Sequence, residues 1–422
     1  MKFRLSLVPV LISAVVISCS KDAGIEPVTP DMANVSYQAK SPKRGVSYNF
    51  DQLPQYDIPV LGPAISWSYN WSSNVPSETA QSLFSEYGMD WCPMIWNGNY
   101  SPDNIRTYKM AHPEAEYILA FNEPNLTEQA NMTPAQAAEY WPDVVALADE
   151  LGMKLISPAM NYGTLAGYSD PWKWLDEFFA QPGVSLDDVD GIAVHCYMGS
   201  ATALMDYIDG FRKYGKPIWL TEFCNWDNNN ISAEQQMKFM VDAINRLEAD
   251  NDVFRYAWFI PRGNGEEQCH NSLITGGHPP FSLTELGEVF VNLSTQDKNL
   301  YYTQGQIIQA EHYSACQGGI TVEPTTDEAG LLHIGNLVAG QKVEYQVDVP
   351  GGTRQMELRV RTYLATSVDF TVNGSKVTVN LPDTGRSWST ITVELPFADG
   401  KQTIAIEGTN DISPMFNWFR IL

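Results

Sequence analysis

Short apolar runs alternate with amphipathic stretches between residues 43 and 298 of the chain. Between several of the runs, apolar residues recur with helical spacing, as in segments 133–152 and 232–250. Eight runs have the length and composition of buried strands: GVSYNF (45–50), AISWSYNW (64–71), WCPMIW (91–96), YILAFNEPN (117–125), KLISPAMN (154–161), GIAVHCYM (191–198), PIWLTEF (217–223) and YAWFIPR (256–262).

This alternation of strands and helices predicts an α/β fold. Eight strands with intervening helices over about 250 residues are typical of a (β/α)8 TIM barrel, which we assign to residues 43–298. The alternative is an open doubly wound sheet. That fold usually carries a glycine-rich phosphate loop after its first strand, and GVSYNFDQ contains no such loop.

From Leu300 onward the helical spacing disappears, and short strands with alternating apolar and polar residues follow one another. The segments are VEYQVDVP, MELRVRTYL, VDFTVNG, KVTVNL, TITVELP and TIAIEG. Asn373-Gly374 and Asp399-Gly400 between them are dipeptides of the kind that close β-hairpins. The pattern predicts a C-terminal β-sandwich at residues 300–422, with the domain boundary in segment 296–302.

The N-terminus, MKFRLSLVPVLISAVVISCS, joins two early cations to about a dozen apolar residues, which is short for a transmembrane helix. We interpret residues 1–19 as a signal peptide. Ser18 followed by Cys19 resembles the processing site of bacterial lipoproteins, so we expect lipidation of Cys19. Residues 20–42, rich in Pro, Ser and Lys, read as a flexible tether. The expected location is the outer membrane or cell surface of a Gram-negative bacterium, with membrane contact through the lipid anchor only.

Composition narrows the set of partners. The 422 residues include 26 Lys and Arg against 50 Asp and Glu, a net charge of −24. This balance argues against nucleic acid, because phosphate binding needs basic surfaces. Aromatic residues make up 12% of the chain. They are compatible with platforms for sugar rings, although large cores also hold many aromatics. We expect a monomer.

Two carboxylates stand where strands end. Glu123 follows the fourth run and precedes Pro124, which cannot donate to a sheet ladder. Glu222 lies at the end of the seventh run. A barrel carries its active site at the C-terminal ends of its strands, so both carboxylates are expected to face one cleft. A single Glu in such a place is more often a helix cap or a loop charge. A pair at the fourth and seventh strands favours glycoside hydrolysis, which needs two carboxyl groups.

Further residues are candidates for substrate contact. Asn122 is expected to hydrogen-bond a sugar hydroxyl, and the Asn122 amide or the Tyr197 hydroxyl to keep Glu222 charged. His195 is either a satisfied core histidine or a group that lines the cleft, and we favour the cleft. We expect burial, or the nearby negative charge, to raise the pKa of Glu123. Alternation puts Trp67, Tyr69 and Trp71 on one face of the second strand, where they either pack in the barrel or serve as sugar platforms. We favour Trp96 and Trp258 as platforms, and Trp67 is either a platform or a core residue.

The series KRGVSYNF, CPMIWNG, ILAFNEPN, ISPAMNYG, WLDEFF, IAVHCYM, KPIWLTEF and YAWFIPR is similar to glycoside hydrolase family 128, over roughly residues 43–292. Members of that family, which are retaining barrels of clan A, act on β-1,3-glucans. The resemblance implies Glu123 as general acid/base and Glu222 as nucleophile, with no cofactor for catalysis. Relatives often have Trp after the histidine, where this chain has Cys196.

The C-terminal segments IIQAEHYS, VEYQVDV, SWSTITV and MFNWFRIL resemble carbohydrate-binding module family 6. This resemblance implies a sugar-binding cleft with Tyr345 and Trp388, and a structural calcium near Gln309 and Glu311. Where the family often has an aspartate before its final aromatic, this chain has Asn417. The change weakens a site for a hard cation, which prefers carboxylate oxygens.

The leading interpretation is a retaining glycosidase that cleaves β-1,3-glucan. Two alternatives remain open at this stage. The same carboxylates in clan A barrels also cut mixed-linkage glucans, mannans and xylans, because fold does not fix substrate. A non-catalytic surface lipoprotein that captures glycans would keep the aromatic platforms and dispense with the two carboxylates.

Overall fold

The computed structural model describes residues 38–226, 231–263 and 269–422. The expected signal peptide, its Cys19 and most of the tether therefore lie outside the described residues. Within the described ranges, no helix combines the length and the apolar character needed to cross a membrane.

The first part of the chain is an α/β unit with parallel strands. Its strands are β1 (Arg44–Ser47), β2 (Trp67–Tyr69), β3 (Asp90–Trp91), β4 (Tyr117–Asn122), β5 (Lys154–Ala159), β6 (Ile192–Cys196), β7 (Ile218–Phe223) and β8 (Val253–Trp258). Its α-helices are α1 (Pro54–Leu61), α2 (Glu78–Glu86), α3 (Pro102–Ala111), α4 (Pro134–Leu151), α5 (Pro171–Phe179), α6 (Ala201–Asp209), α7 (Ala233–Ala249) and α8 (Glu285–Asn292).

Parallel pairing links these eight strands in sequence. One sheet has the order β3-β2-β1-β8-β7-β6, and β4 pairs with β5. Parallel bridges connect the two groups: Met94 with Leu119 between β3 and β4, and Met160 with Val194 between β5 and β6. The C-terminal ends of all eight strands therefore lie on the same side of the unit. In folds with parallel strands, functional side chains are usually found at these ends.

The two helices predicted from spacing begin and end close to the expected residues. The side chain of Thr133 caps α4 and that of Ser232 caps α7, each in a reciprocal capping box. Gln136 and Gln235 supply the return hydrogen bonds. Such caps satisfy backbone N–H groups that the first turn leaves without partners, and each is worth about 1 kcal/mol.

A column of aromatic rings follows one face of β2, as alternation predicts. The Trp67 and Tyr69 ring centroids lie 6.1 Å apart, and those of Tyr69 and Trp71 lie 5.6 Å apart. At the lower end of the column, Trp67 packs edge-on against Trp219. The guanidinium of Arg255 lies 5.5 Å from the Trp67 ring centroid. The column connects the interior of the α/β unit to the level at which the strands end.

The rest of the chain is β-rich. Its strands are β9 (Tyr301–Thr303), β10 (Ile307–Gln309), β11 (Ala315–Gln317), β12 (Thr321–Pro324), β13 (Leu332–Gly335), β14 (Lys342–Val349), β15 (Gly352–Arg361), β16 (Thr366–Val372), β17 (Ser375–Leu381), β18 (Ser389–Phe397), β19 (Gly400–Gly408) and β20 (Met415–Ile421). They form two sheets, β12-β13-β20-β15-β18 with β10 beside β20, and β11-β14-β19-β16-β17 with β9 beside β14. Tyr345 and Phe419 meet between the sheets, with centroids 5.4 Å apart.

Only one of the two predicted hairpin turns closes a hairpin. Asn373 and Gly374 both adopt positive φ and join β16 to its antiparallel partner β17. Asp399-Gly400 joins β18 to β19, but β18 pairs with β15 whereas β19 pairs with β14 and β16. This prediction was wrong, because the dipeptide marks a connection between the two sheets.

The two parts of the chain share buried polar contacts. The Tyr313 hydroxyl donates to Asn245 Oδ1 over 2.8 Å, and the Ser294 hydroxyl donates to the carbonyl of Tyr313. Gln296 Nε2 donates to the carbonyl of Asn245 over 2.7 Å. Strand β12 packs against helices α7 and α8. These contacts fix the β-rich part on the helices that follow β7 and β8.

Candidate active site

The chain turns sharply at Glu123, directly after β4. Its backbone φ of 43° lies in the left-handed region that non-glycine residues rarely adopt. Its N–H donates to the carbonyl of Ala159 on the neighbouring strand, and Pro124 prevents the ladder from continuing. A left-handed residue of this kind costs of the order of 1–2 kcal/mol, which the surrounding contacts must offset. The turn directs the Glu123 side chain into the space above the strand ends.

Glu222, near the end of β7, is surrounded by hydrogen-bond donors. The Tyr69 hydroxyl and the Trp71 indole N–H both donate to its Oε1, over 2.8 and 2.6 Å. The Tyr197 hydroxyl donates to its Oε2. Three donors on one buried side chain stabilise a negative charge at that place. Two of them belong to the aromatic column of β2, whose upper end therefore reaches the carboxylate.

Glu123 is held from one side. Asn161 Nδ2 donates to Glu123 Oε1 over 2.9 Å, and His195 Nδ1 lies 2.9 Å from the same oxygen. His195 Nδ1 is also 3.4 Å from Glu222 Oε2. Both partners engage Oε1, so Oε2 of Glu123 is left for the cleft. Side-chain atoms of Glu123, His195 and Glu222 all lie within 4.8 Å of one another.

The ionisation of Glu123 differs from the expectation. Burial raises the pKa of Glu123, but the hydrogen bond and positive charge of His195, together with the Asn161 amide, outweigh it and leave the pKa lowered. For His195, burial lowers the pKa, but the charge of Glu222 and the contact with Glu123 raise it above its usual value. The contact between Glu123 and His195 contributes to both shifts, and it favours an ionised carboxyl group beside a protonated imidazole in the free site.

Two glutamates and a histidine so close together also resemble a small metal site. Their oxygens, however, already accept hydrogen bonds from Tyr69, Trp71, Tyr197 and Asn161. A metal would have to displace these donors, because it needs the same lone pairs. The arrangement fits a pair of carboxyl groups that act on an organic substrate better than it fits a cation site.

An open cleft of about 640 Å³ lies over the two carboxylates. Asn122 lines this cleft, and only one half of its amide is hydrogen-bonded. Its Nδ2 donates to Gln129, whereas its buried Oδ1 accepts no hydrogen bond within the described residues. Apolar and aromatic side chains form most of the remaining wall: Trp71, Trp96, Leu126, Tyr197, Trp226, Phe259 and Ile260. An apolar cleft with a few convergent polar groups is typical of a ligand site.

The structure brings together most of the predicted site residues. Glu123, Glu222, Asn122, Trp96 and Tyr197 line the cleft, whereas His195 is fully buried directly beneath the carboxylates. Either the Tyr197 hydroxyl or the Asn122 amide was expected to hydrogen-bond Glu222, and the Tyr197 hydroxyl does so. The Asn122 amide binds Gln129 instead.

Three predicted platforms are wrong. Trp67 and Trp258 have no solvent-exposed surface. The Trp67 indole donates to the carbonyl of Lys43 at the lower end of the aromatic column, and the Trp258 indole donates to the carbonyl of Asn271. Tyr345 in the β-rich part is also buried, and its hydroxyl donates to the carbonyl of Ala310 over 2.7 Å. None of these rings has a free face for a sugar. Trp388, by contrast, is half-buried.

Sequence reasoning missed several cleft residues. Trp71 was placed on the correct face of β2. Its hydrogen bond to Glu222 also depends on its position at the C-terminal end of the strand, which alternation does not specify. Asn161 is the last residue of the run at 154–161 and lies just after β5, and an amide at a strand end was a usable signal. Trp226 and Phe259 follow β7 and β8 in irregular segments, where no periodicity indicates which way a side chain points.

Comparisons with known proteins agree with this geometry. Residues 45–290 match the family model described as "Glycosyl hydrolase catalytic core". An endo-β-1,3-glucanase of glycoside hydrolase family 128 (subgroup II) from Pseudomonas viridiflava is 38% identical, and the match covers 60% of this chain and 99% of that one, with a TM-score of 0.54. A second subgroup II endo-β-1,3-glucanase, from Sorangium cellulosum, is 36% identical over 59% of this chain and 97% of that one, with a TM-score of 0.51.

Alkali-sensitive linkage protein 1 of Schizosaccharomyces pombe is 30% identical over 262 residues, which are 60% of this chain. The match spans 45% of that curated relative's length. The family model covers more than half of the present chain, and the match to the Pseudomonas enzyme covers nearly all of that enzyme. The chain therefore belongs to the glycosyl hydrolase catalytic core family and, with its bacterial relatives, to glycoside hydrolase family 128.

Proposed function

We propose that the protein is a retaining glycoside hydrolase that cleaves β-1,3-glucan. The observation that carries the proposal is the pair Glu123 and Glu222, which bring one carboxylate oxygen each to within 4.8 Å of the other at the floor of an aromatic cleft. Retaining enzymes hold their two carboxyl groups about 5–5.5 Å apart, whereas inverting enzymes leave room for a water between them. The two subgroup II relatives, described as endo-β-1,3-glucanases, indicate the substrate.

The first step divides the work between the two carboxyl groups. The step needs the protonated form of Glu123, although His195 and Asn161 favour its ionised form in the free site. Glu123 gives the proton on Oε2 to the glycosidic oxygen, while Glu222 attacks the anomeric carbon. The bond between that carbon and the glycosidic oxygen breaks, its electron pair stays with the oxygen, and an ester forms on Glu222. His195 and Asn161 bind Oε1 and keep Oε2 toward the cleft. Glu222 starts as a carboxylate because Tyr69, Trp71 and Tyr197 stabilise its charge.

The second step reverses the roles. Glu123, now a carboxylate, takes a proton from water, and the water oxygen attacks the anomeric carbon and releases Glu222. Asn122 Oδ1, buried with no partner among the described residues, is suited to accept a hydrogen bond from the sugar hydroxyl next to the reacting carbon. Glycoside hydrolases of this type need no cofactor for catalysis.

Product analysis tests the proposal. The protein without its first 37 residues is incubated with a linear β-1,3-glucan, a mixed-linkage β-glucan, a mannan and a xylan. We expect oligosaccharides with β-1,3 linkages from the first polymer, released with retained anomeric configuration in an NMR time course. Release of oligosaccharides from mannan or xylan alone would show that the protein is a clan A glycosidase for that polymer and not a β-1,3-glucanase. Binding to a polymer without any release would assign the protein as a glycan-capture module.

Trp71 offers a test of how the carboxylate is held. Trp71→Phe keeps an aromatic ring in the cleft and removes the 2.6 Å bond to Glu222. Hydrogen bonds to charged groups are worth about 1.5–3 kcal/mol, so we expect kcat to fall at least tenfold with a smaller change in KM. Trp96→Phe is the matched control, since Trp96 lines the same cleft. An equal fall in kcat in both variants would show that ring packing, and not the hydrogen bond, is responsible.

We further propose that residues 43–298 form a (β/α)8 barrel and residues 300–422 a β-sandwich that binds glycan. The continuous parallel pairing of β1–β8 and the two facing sheets support this division. The sequence at Cys19 supports lipidation and attachment to the outer membrane or cell surface. In this arrangement the protein acts as a monomer, and the lipid is its membrane contact.

The β-rich part also has residues that fit a structural calcium. Gln309 Oε1, Glu311 Oε2 and Asn417 Oδ1 are buried and accept no hydrogen bond among the described residues. Gln309 and Asn417 bind the carbonyls of Ala329 and Glu328 through their amide nitrogens, so both side chains adjoin the same segment. Burial raises the pKa of Glu311 to about 8. Oxygen ligands suit calcium, and the single carboxylate among the three predicts weak binding.

Calcium should therefore stabilise the protein through Glu311. We expect calcium at about 100 times its dissociation constant to add roughly 2.7 kcal/mol to the free energy of unfolding. Glu311→Gln should remove the effect in thermal melts, whereas Glu328→Gln, a nearby exposed carboxylate, should retain it. If magnesium and calcium raised the melting temperature equally in all three proteins, the effect would not come from this site.

A further inference from the structure

Two arginines of the β-rich part, Arg361 and Arg386, differ from the other arginines that the structure describes. Among the described residues, Arg361 and Arg386 make neither an ion pair nor a side-chain hydrogen bond, and Arg361 Nε is buried without an acceptor. The other described arginines bind carboxylates, except Arg354, which binds backbone carbonyls and an amide. The chain has 50 acidic and 26 basic side chains, so two neighbouring arginines with no acidic partner in the described part of the chain are unusual.

Both arginines face the same aromatic ring. The Cζ atoms of Arg361 and Arg386 lie 5.5 and 5.0 Å from the ring centroid of Tyr363, which is 39% exposed. Trp388 stands on the same strand-end segment as Arg386, and its ring packs edge-on against His333 at 5.5 Å. Burial lowers the pKa of His333, and the nearby positive charge of Arg361 lowers it further. Two aromatic rings and two cations therefore occupy one surface.

This surface is built in advance of any ligand. The Thr384 backbone N–H donates to the Thr362 hydroxyl, and the Thr362 backbone N–H donates to the Thr384 hydroxyl, each over 3.0 Å. The Arg386 N–H donates to the carbonyl of Thr362 over 3.2 Å. Arg386 itself has a φ of 65°, in the left-handed region that a bulky side chain seldom occupies. The loop between β17 and β18 is thus fastened to the end of β15, and its backbone strain serves to place Arg386.

We propose that Arg361, Tyr363, Arg386 and Trp388 bind an acidic polysaccharide through the carboxylate of a uronic acid unit. Sugar rings pack on exposed aromatic faces, and guanidinium groups recognise carboxylates with two parallel hydrogen bonds. A neutral glucan would leave both cations without a counter-charge. The nearby carboxylate of Glu323 contacts His333 at 3.8 Å and neither arginine.

The inference rests on the proposed glycan binding by the β-rich part, and it does not depend on hydrolysis at Glu123 and Glu222. According to this inference, the polymer that the β-rich part binds differs from the polymer that the active site hydrolyses. An acidic matrix would retain the enzyme, and the cleft would cut neutral β-1,3-glucan embedded in that matrix.

The test measures binding of residues 38–422 to soluble polymers by affinity electrophoresis and calorimetry. The probes are polygalacturonate and alginate oligomers, the neutral laminarihexaose and the sulfated polymer dextran sulfate. We expect binding to a uronate polymer that weakens as salt is raised and falls at least tenfold in the double variant Arg361→Gln/Arg386→Gln. Trp388→Ala should weaken it as well. Arg354→Gln removes one charge from the other end of β15 and should bind like the parent.

Each alternative result has a defined meaning. Binding of laminarihexaose to this surface with no dependence on the arginines would overturn the proposal, as would binding to dextran sulfate alone or binding to none of the polymers. Arg386→Gln, whose side chain is exposed, gives the same test if the double variant fails to fold. All variants should hydrolyse β-1,3-glucan at the parental rate. If the parent bound a uronate polymer but did not hydrolyse β-1,3-glucan, the proposed glucanase activity would be wrong and the proposed binding surface would still be supported.

Discussion

Replacing Glu222 with glutamine should lower the turnover of β-1,3-glucan by at least about 10³-fold, because an amide does not form the covalent ester. Binding should survive. Glutamine has the shape of the carboxylate, and its oxygen can still accept the hydrogen bonds of Tyr69 and Trp71. The measurements are steady-state hydrolysis of a linear β-1,3-glucan and calorimetric titration with laminarihexaose.

Glu128→Gln is the matched control for this substitution. Glu128 is exposed on the segment that follows Glu123, so the change removes the same charge near the cleft without touching Glu222. We expect parental turnover in the control. Turnover of more than a tenth of the parental rate in Glu222→Gln would contradict the role of Glu222 as nucleophile.

Much of the α/β unit was predictable because its strands are buried and its helices carry explicit caps. The runs at 117–125 and 217–223 contain β4 and β7, and the carboxylates fall at their ends. The last strand shows the limit. The run was read from Tyr256, whereas β8 begins at Val253. Within β8, Ala257 belongs to the interior cluster and Trp258 packs against Phe290 of α8, so Trp258 faces the helices and not the cleft.

Depth along a strand is a second quantity that periodicity does not give. Trp67, Tyr69 and Trp71 share a face, but successive residues rise by about 3.3 Å, so Trp67 lies far below Trp71. Only Tyr69 and Trp71 reach Glu222. Tyr345 was assigned to a sugar cleft by resemblance alone. In the structure it occupies a buried position of the alternating strand β14 and packs between the two sheets.

The removal of Glu123 should divide the reaction into its two steps. In Glu123→Ala, hydrolysis of β-1,3-glucan should fall by about 10²–10⁴-fold, the range that general acid–base catalysis contributes. An aryl β-laminaribioside with a good leaving group needs no acid for the first step. The glycosyl ester on Glu222 should therefore accumulate, because no base then activates water, and the intermediate should be visible by mass spectrometry of the intact protein.

Azide then distinguishes the roles of the two carboxyl groups, because it is a nucleophile that needs no base. With Glu123→Ala, azide should restore turnover of the aryl glycoside and give the β-glycosyl azide, since it attacks the ester on Glu222. With Glu222→Ala, azide would occupy the space of the lost carboxylate and give the α-glycosyl azide in a single displacement. The opposite pattern of anomers would exchange the two assignments. Glu222 accepts hydrogen bonds from Tyr69, Trp71 and Tyr197, whereas Glu123 is paired with the titratable His195. These contacts favour Glu222 as the nucleophile and Glu123, beside a histidine that can exchange a proton with it, as the acid/base.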